Sequence, residues 1–110
     1  MRAATDVARA LLVVIGLARV AFADPGHVAD ETFERGRALM AKKQYAEACA
    51  AFEQSQRLDP QFGTLFNLAD CEVQLGKLAT AWGRYRELER TDSNQERRAL
   101  SAQLATQLEH

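Results

Sequence analysis

The sequence predicts an all-α fold: a helical-repeat stack of two helix hairpins plus a C-terminal capping helix. Three observations carry that prediction. The chain echoes itself at one fixed interval, so that Gly36, Tyr45, Ala48 and Phe52 recur as Ala69, Leu78, Ala81 and Tyr85, with Phe33 answered by Phe66, Met40 by Val73 and Ala38 by Cys71. Apolar residues return at three- and four-residue steps, the spacing of one helical face. No stretch sustains two-residue alternation, so strands are not expected. A helical hairpin repeated at this length is the unit of a stacked solenoid, whose ordinary work is holding partners.

Residues 1–23 read as an export signal that is cleaved. Arg2 and Arg9 make a basic start, 10–18 is an uncharged run rich in Leu, Val and Ile, and Ala21-Phe22-Ala23 places small residues where a signal peptidase reads them. The alternative is a membrane anchor formed by 1–23, against which Arg19 interrupts the apolar run well short of the ~20 residues needed to span a bilayer. Export places the folded chain in the periplasm or outside the cell.

Residues 24–29, with Pro25, Gly26 and His27, read as a flexible lead-in. The first repeat is expected over 30–60. Its first helix runs from about Asp30 to Lys42 with Phe33, Gly36, Leu39 and Met40 on one face. Its second starts near Tyr45 with Ala48, Cys49, Phe52 and Ser55 inward, and stops at Asp59-Pro60 because the residue before proline avoids helical geometry.

The second repeat is expected over 61–91. Residues 61–64 form a link, Leu65, Phe66, Leu68, Ala69, Cys71, Glu72 and Val73 build the third helix, and Gly76 closes it by taking the left-handed conformation. The fourth helix, from about Leu78 to Arg90, turns Ala81, Trp82, Tyr85 and Leu88 inward, with Trp82 expected beneath the fifth helix. Ser93 and Glu96 read as a capping box opening that fifth helix within 92–110. Leu100, Leu104 and Leu108 form its narrow apolar row, suited to covering the last repeat, and Arg97 and Arg98 are expected in solvent.

Small residues set helix spacing: Gly36 is expected opposite Ala48 and Ala69 opposite Ala81, with Phe52 and Tyr85 filling the wider gaps. Gly36, Tyr45, Ala48, Phe52 and Pro60, then Asn67-Leu68-Ala69, Gly76, Ala81 and Tyr85, resemble the tetratricopeptide repeat signature over about 29–89. Thr32, Arg35 and Ser55 depart from it, standing where a large aromatic, a leucine and an alanine are usual. A closer likeness is to exported repeat proteins of myxobacteria and related Gram-negative bacteria, carried by 45–49, 55–60 and 63–71. The resemblance implies a right-handed stack whose concave groove is lined by the first helix of each pair. The implied partner-binding positions are Phe33, Arg37, Met40, Phe66, Asn67, Asp70 and Gln74, with Glu34 and Val73 beside them. Their mixed chemistry suits an extended peptide or a partner helix. Phe33 and Phe66 suit a core equally well, and Arg37 can simply pair with Glu34. Phe33 also occupies a position where the family's carboxylate clamp uses lysine, which disfavours that clamp's partners.

Cys49 and Cys71 are the only cysteines. In a repeat stack the second helix of one pair lies against the first helix of the next, so the two are disulfide candidates in an oxidising compartment; two unlinked buried thiols are the alternative. They make a poor metal site, because His27 and His110 are distant in sequence and zinc wants four ligands.

Removing 1–23 leaves 11 basic and 14 acidic residues, a net charge of −3. That balance argues against nucleic acid, which demands a basic face. The sequence holds no phosphate loop, nucleophile elbow or HExxH helix, so neither enzymatic activity nor a cofactor is expected. The expectation is therefore an exported, non-catalytic interaction module that binds a protein or peptide and does not insert in the membrane after cleavage. The alternative is a structural element of the cell envelope that assembles with copies of itself.

Overall fold

The computed structural model describes residues 24–110; the expected leader at 1–23 lies outside the described residues. Five helices follow in order: α1 (Pro25–Ala41), α2 (Tyr45–Leu58), α3 (Phe62–Gln74), α4 (Leu78–Thr91) and α5 (Gln95–Leu108). There is no strand among the described residues. Each helix packs chiefly on its neighbour in sequence, giving hairpins α1–α2 and α3–α4 with α5 laid against α4.

Two helices start earlier than the sequence reading places them. Residues 25–29 are helical rather than a flexible lead-in, because Pro25 stands in the first turn, where its fixed φ is already helical and its missing N–H is not needed. Ala29 is consequently buried, and its carbonyl accepts a 2.8 Å hydrogen bond from Ser55 Oγ on α2. Residues 62–64 are likewise the first turn of α3 rather than a link. Gln61 precedes them in extended geometry, its carbonyl taking the Leu65 N–H at 3.0 Å and its own N–H bonded to Gln56 Oε1 at 3.0 Å.

The echo in the sequence extends to the backbone. Lys43 closes α1 at φ 61 and Gly76, its counterpart one repeat later, closes α3 at φ 75. The Gln44 N–H reaches back to the Leu39 carbonyl at 2.9 Å, and the Lys77 N–H to Glu72 at the same distance. These bonds satisfy carbonyls that a helix end otherwise leaves without partners. Glycine adopts this left-handed geometry without a Cβ clash; lysine does so at a cost of about 1 kcal/mol.

The core has two clusters that share α3. Ala48, Cys49, Phe52, Leu68 and Cys71 form one, with Phe33, Leu39, Met40 and Tyr45 packed on it. Leu65, Ala69, Ala81, Tyr85, Leu88 and Ala105 form the other, with Phe66, Val73, Leu104 and Leu108 around it. Leu68 and Cys71 thus serve the first cluster while Leu65 and Ala69 serve the second, which ties the hairpins together.

Gly36 lies against the Phe52 ring. A Cβ at Gly36 would lie 2.7 Å from the ring, closer than real contacts allow, so the missing side chain is the space that the ring fills. The three departures from the repeat signature each make a hydrogen bond: Thr32 Oγ1 donates to the Val28 carbonyl at 2.8 Å, Ser55 bonds Ala29 as above, and Arg35 Nη2 donates to Gln54 Oε1 at 3.4 Å.

The cap of α5 is Asn94, whose Oδ1 accepts the Arg97 N–H at 2.8 Å; the expected Ser93–Glu96 box does not form. Asp92 decides the matter. Its buried carboxylate accepts the Asn94 N–H at 2.9 Å and a two-pronged contact from Arg97, Nε at 2.5 Å and Nη2 at 2.9 Å, setting the turn one residue later. Arg97 is therefore a structural partner and not a solvated residue. The inward face of α5 is Ser101 and Ala105, with Leu104 and Leu108 alongside, and Leu100 is exposed.

Candidate binding surfaces

Phe33 and Arg37 on α1 correspond, one repeat later, to Phe66 and Asp70 on α3. Phe33 is half-buried with its ring 5.6 Å from that of Phe52, and Phe66 sits in the same way 5.8 Å from Tyr85. Both rings and Met40 pack on the core and remain partly exposed. Asn67 directs its amide to its own helix, Nδ2 donating to the Gly63 carbonyl at 2.8 Å. Arg37 pairs with Glu34 at 3.7 Å, both well exposed. Asp70 and Gln74 are exposed one and two turns beyond Phe66.

Asp70 is the electrostatically distinct member of this set. The protein packed around its carboxyl raises its pKa above the usual aspartate value. Tyr85 is held far above the ordinary tyrosine value, first by burial and then by the negative charges of Asp70 and Glu72.

On the other side of the stack, α2 and α4 flank α3 without packing closely on each other. They leave an open cleft of about 320 Å³ lined by Glu53, Gln56, Arg57, Leu68 and Arg84. A second hollow of about 280 Å³ lies where α2 ends and α3 begins, lined by Gln56, Pro60, Gln61, Phe62, Leu65 and Glu87. Neither contains the residues anticipated for partner binding.

Cys49 and Cys71 are joined as a disulfide, with Cα atoms 5.6 Å apart, across the junction between α2 and α3. Among the described residues no group of three or more His, Cys, Asp or Glu side chains is placed to hold a metal, and no helix is long and apolar enough to cross a membrane.

Four ion pairs and the surroundings of Trp82 were not anticipated. Glu72, buried in α3, pairs with Arg84 on α4, and Asp92 pairs with Arg97. Trp82 is 40% exposed rather than buried beneath α5; its indole N–H donates to Glu109 Oε1 at 2.9 Å while the Arg86 guanidinium stands 5.8 Å from its ring centre. Arg86 also bonds Glu109 and Glu89, at 2.7 and 2.6 Å. The sequence signal for the first pair was a glutamate amid the apolar positions of α3, which needs a cation once buried.

Residues 29–62 match the tetratricopeptide repeat family. The matched segment takes in most of α1, all of α2 and the start of α3. Repeats of this kind generally mediate protein–protein interaction and are typically non-catalytic. No curated protein and no solved structure matches the chain.

Proposed function

We propose that the chain is an exported, non-catalytic module that holds a peptide or protein segment in the groove formed by the first helix of each tetratricopeptide hairpin. The matched repeat at 29–62, followed by a second hairpin closed in the same way at Gly76, is the observation that supports this reading. In it, the exposed parts of Phe33, Phe66 and Met40 supply apolar contact. Arg37, Asp70 and Gln74 supply polar anchors along the same rows, and Asn67, already bonded within its helix, shapes the wall. An extended segment bound this way is recognised by alternate side chains and needs no moving part.

Affinity capture from cell-envelope extract tests the groove, with wild-type protein compared against an Arg37→Glu, Phe66→Glu variant. The expected result is a set of proteins retained by wild type and lost by the variant; identical recovery by both baits overturns the groove assignment. Export is tested by N-terminal sequencing of the protein recovered from its host, which is expected to begin at Asp24.

A further inference from the structure

We propose that the cleft between α2 and α4 is a second binding site, specific for a single carboxylate group supplied by a partner protein. The cleft is floored by Leu68, which is 1% exposed, and walled by Glu53, Gln56 and Arg57 from α2 and by Arg84 from α4. Two arginines from different helices face one space. Arg84 is the one held in a fixed orientation.

Glu72 is buried, with its side chain 4% exposed, and it accepts from Nε of Arg84, whose own side chain is 29% exposed. An arginine held by Nε keeps its two terminal nitrogens for another acceptor, and among the described residues neither has one. A buried acid therefore fixes the guanidinium plane at the edge of the cleft and leaves the outer fork free. Such a fork matches the two oxygens of a carboxylate. Arg57, exposed at the last turn of α2, forms no ion pair among the described residues and provides the second cation.

The same walls limit the ligand's charge. Glu72 neutralises much of Arg84, and Glu53 shares its wall with Arg57, so the cleft as a whole is close to neutral. A monoanion gains two directed contacts there, whereas a dianion meets Glu53 with no surplus of positive charge to offset the repulsion. Carboxylate is favoured over phosphate for this reason. The site is separate from the groove and does not depend on it.

The test is NMR of the full chain, following the arginine side-chain nitrogens of Arg57 and Arg84 as small anions are added. N-acetyl-glutamyl amide presents one side-chain carboxylate, N-acetylglycine one chain-terminal carboxylate, and inorganic phosphate and chloride at matched ionic strength complete the series. Saturable shifts with either carboxylate are expected, and the tighter of the two identifies its source in the partner. Arg57→Gln and Arg84→Lys are each expected to weaken binding at least fivefold, the lysine because it keeps the charge and loses the fork. Glu53→Gln is expected to tighten it at least twofold. Shifts no larger than those with chloride, phosphate binding as tightly as carboxylate, an unchanged affinity in Arg57→Gln, or weaker binding in Glu53→Gln would each overturn the assignment.

Discussion

The two halves of the molecule follow one backbone plan and secure it by different chemistry. At the first junction, between α2 and α3, Cys49 and Cys71 form a covalent bond within an apolar cluster. One repeat later, the same two positions are Trp82 and Leu104. There the junction between α4 and α5 relies on Asp92 with Arg97 and on the exposed set of Trp82, Arg86 and Glu109. The hairpins differ in the same spirit: Gly36 makes room for Phe52, whereas Ala69 and Tyr85 occupy the equivalent positions in the second. A repeat thus preserves helix spacing and closure, while the means of fastening is free to vary with each interface.

If that contrast holds, each half has its own weakness. Reduction of the disulfide, or a Cys49→Ala, Cys71→Ala variant, is expected to cost about 3 kcal/mol, the loop-entropy value for a 22-residue separation. Urea unfolding with and without reductant measures it, and an unchanged midpoint would remove the disulfide from the account.

Arg97→Ala strikes the other half by leaving the Asp92 carboxylate buried without its fork, at an expected cost of about 2 kcal/mol that is insensitive to reductant. The same pair predicts acid sensitivity. Arg97's hydrogen bonds, helped by the Asn94 N–H and opposed by burial, hold Asp92 below its ordinary value of 3.8. Its contribution is therefore fully present above pH 3.8 and lost as pH falls through the lower folded value. Acid titration followed by circular dichroism should show this component in wild type and a diminished one in Arg97→Ala.

Gly36→Ala is expected to cost about 1–3 kcal/mol by forcing the Phe52 ring from its place. The reciprocal change, Ala69→Gly, costs about 1 kcal/mol through helix propensity alone. Equal costs would mean that the hairpins are packed alike. The smallest effect is expected from Glu109→Gln: thermal unfolding unchanged within error, with a shift in Trp82 emission from the altered indole hydrogen bond. A large loss of stability there would show that the exposed set fastens α5 more firmly than its setting implies.

The repeat spacing, the all-helical class and the helix closure at Gly76 were legible because they depend on local rules: residue size at fixed intervals and the freedom of glycine. What escaped depends on helix rotation and on competition between neighbours. Ser93, Asn94 and Asp92 are all good capping residues, and only burial of Asp92 against Arg97 selects Asn94. Trp82 lies one step from Ala81, and a rotation of that size moves a ring from core to rim. Arg84 and Glu72 are twelve residues apart, so their pairing follows from the α3–α4 hairpin and not from any spacing visible beforehand. For the residues anticipated for partner binding, the family resemblance supplied the positions, whereas their half-buried rings and the internal bond of Asn67 emerge only from packing.

Helix α5 begins where a third hairpin would begin, one full repeat after α3, and its N-cap Asn94 stands in register with Gln61. The stretch from 62 to 94 is therefore one repeat long, and the residues preceding its first helix and the next are both extended. Duplicating it in tandem should lengthen the stack by one rung while α5 still packs against the preceding helix.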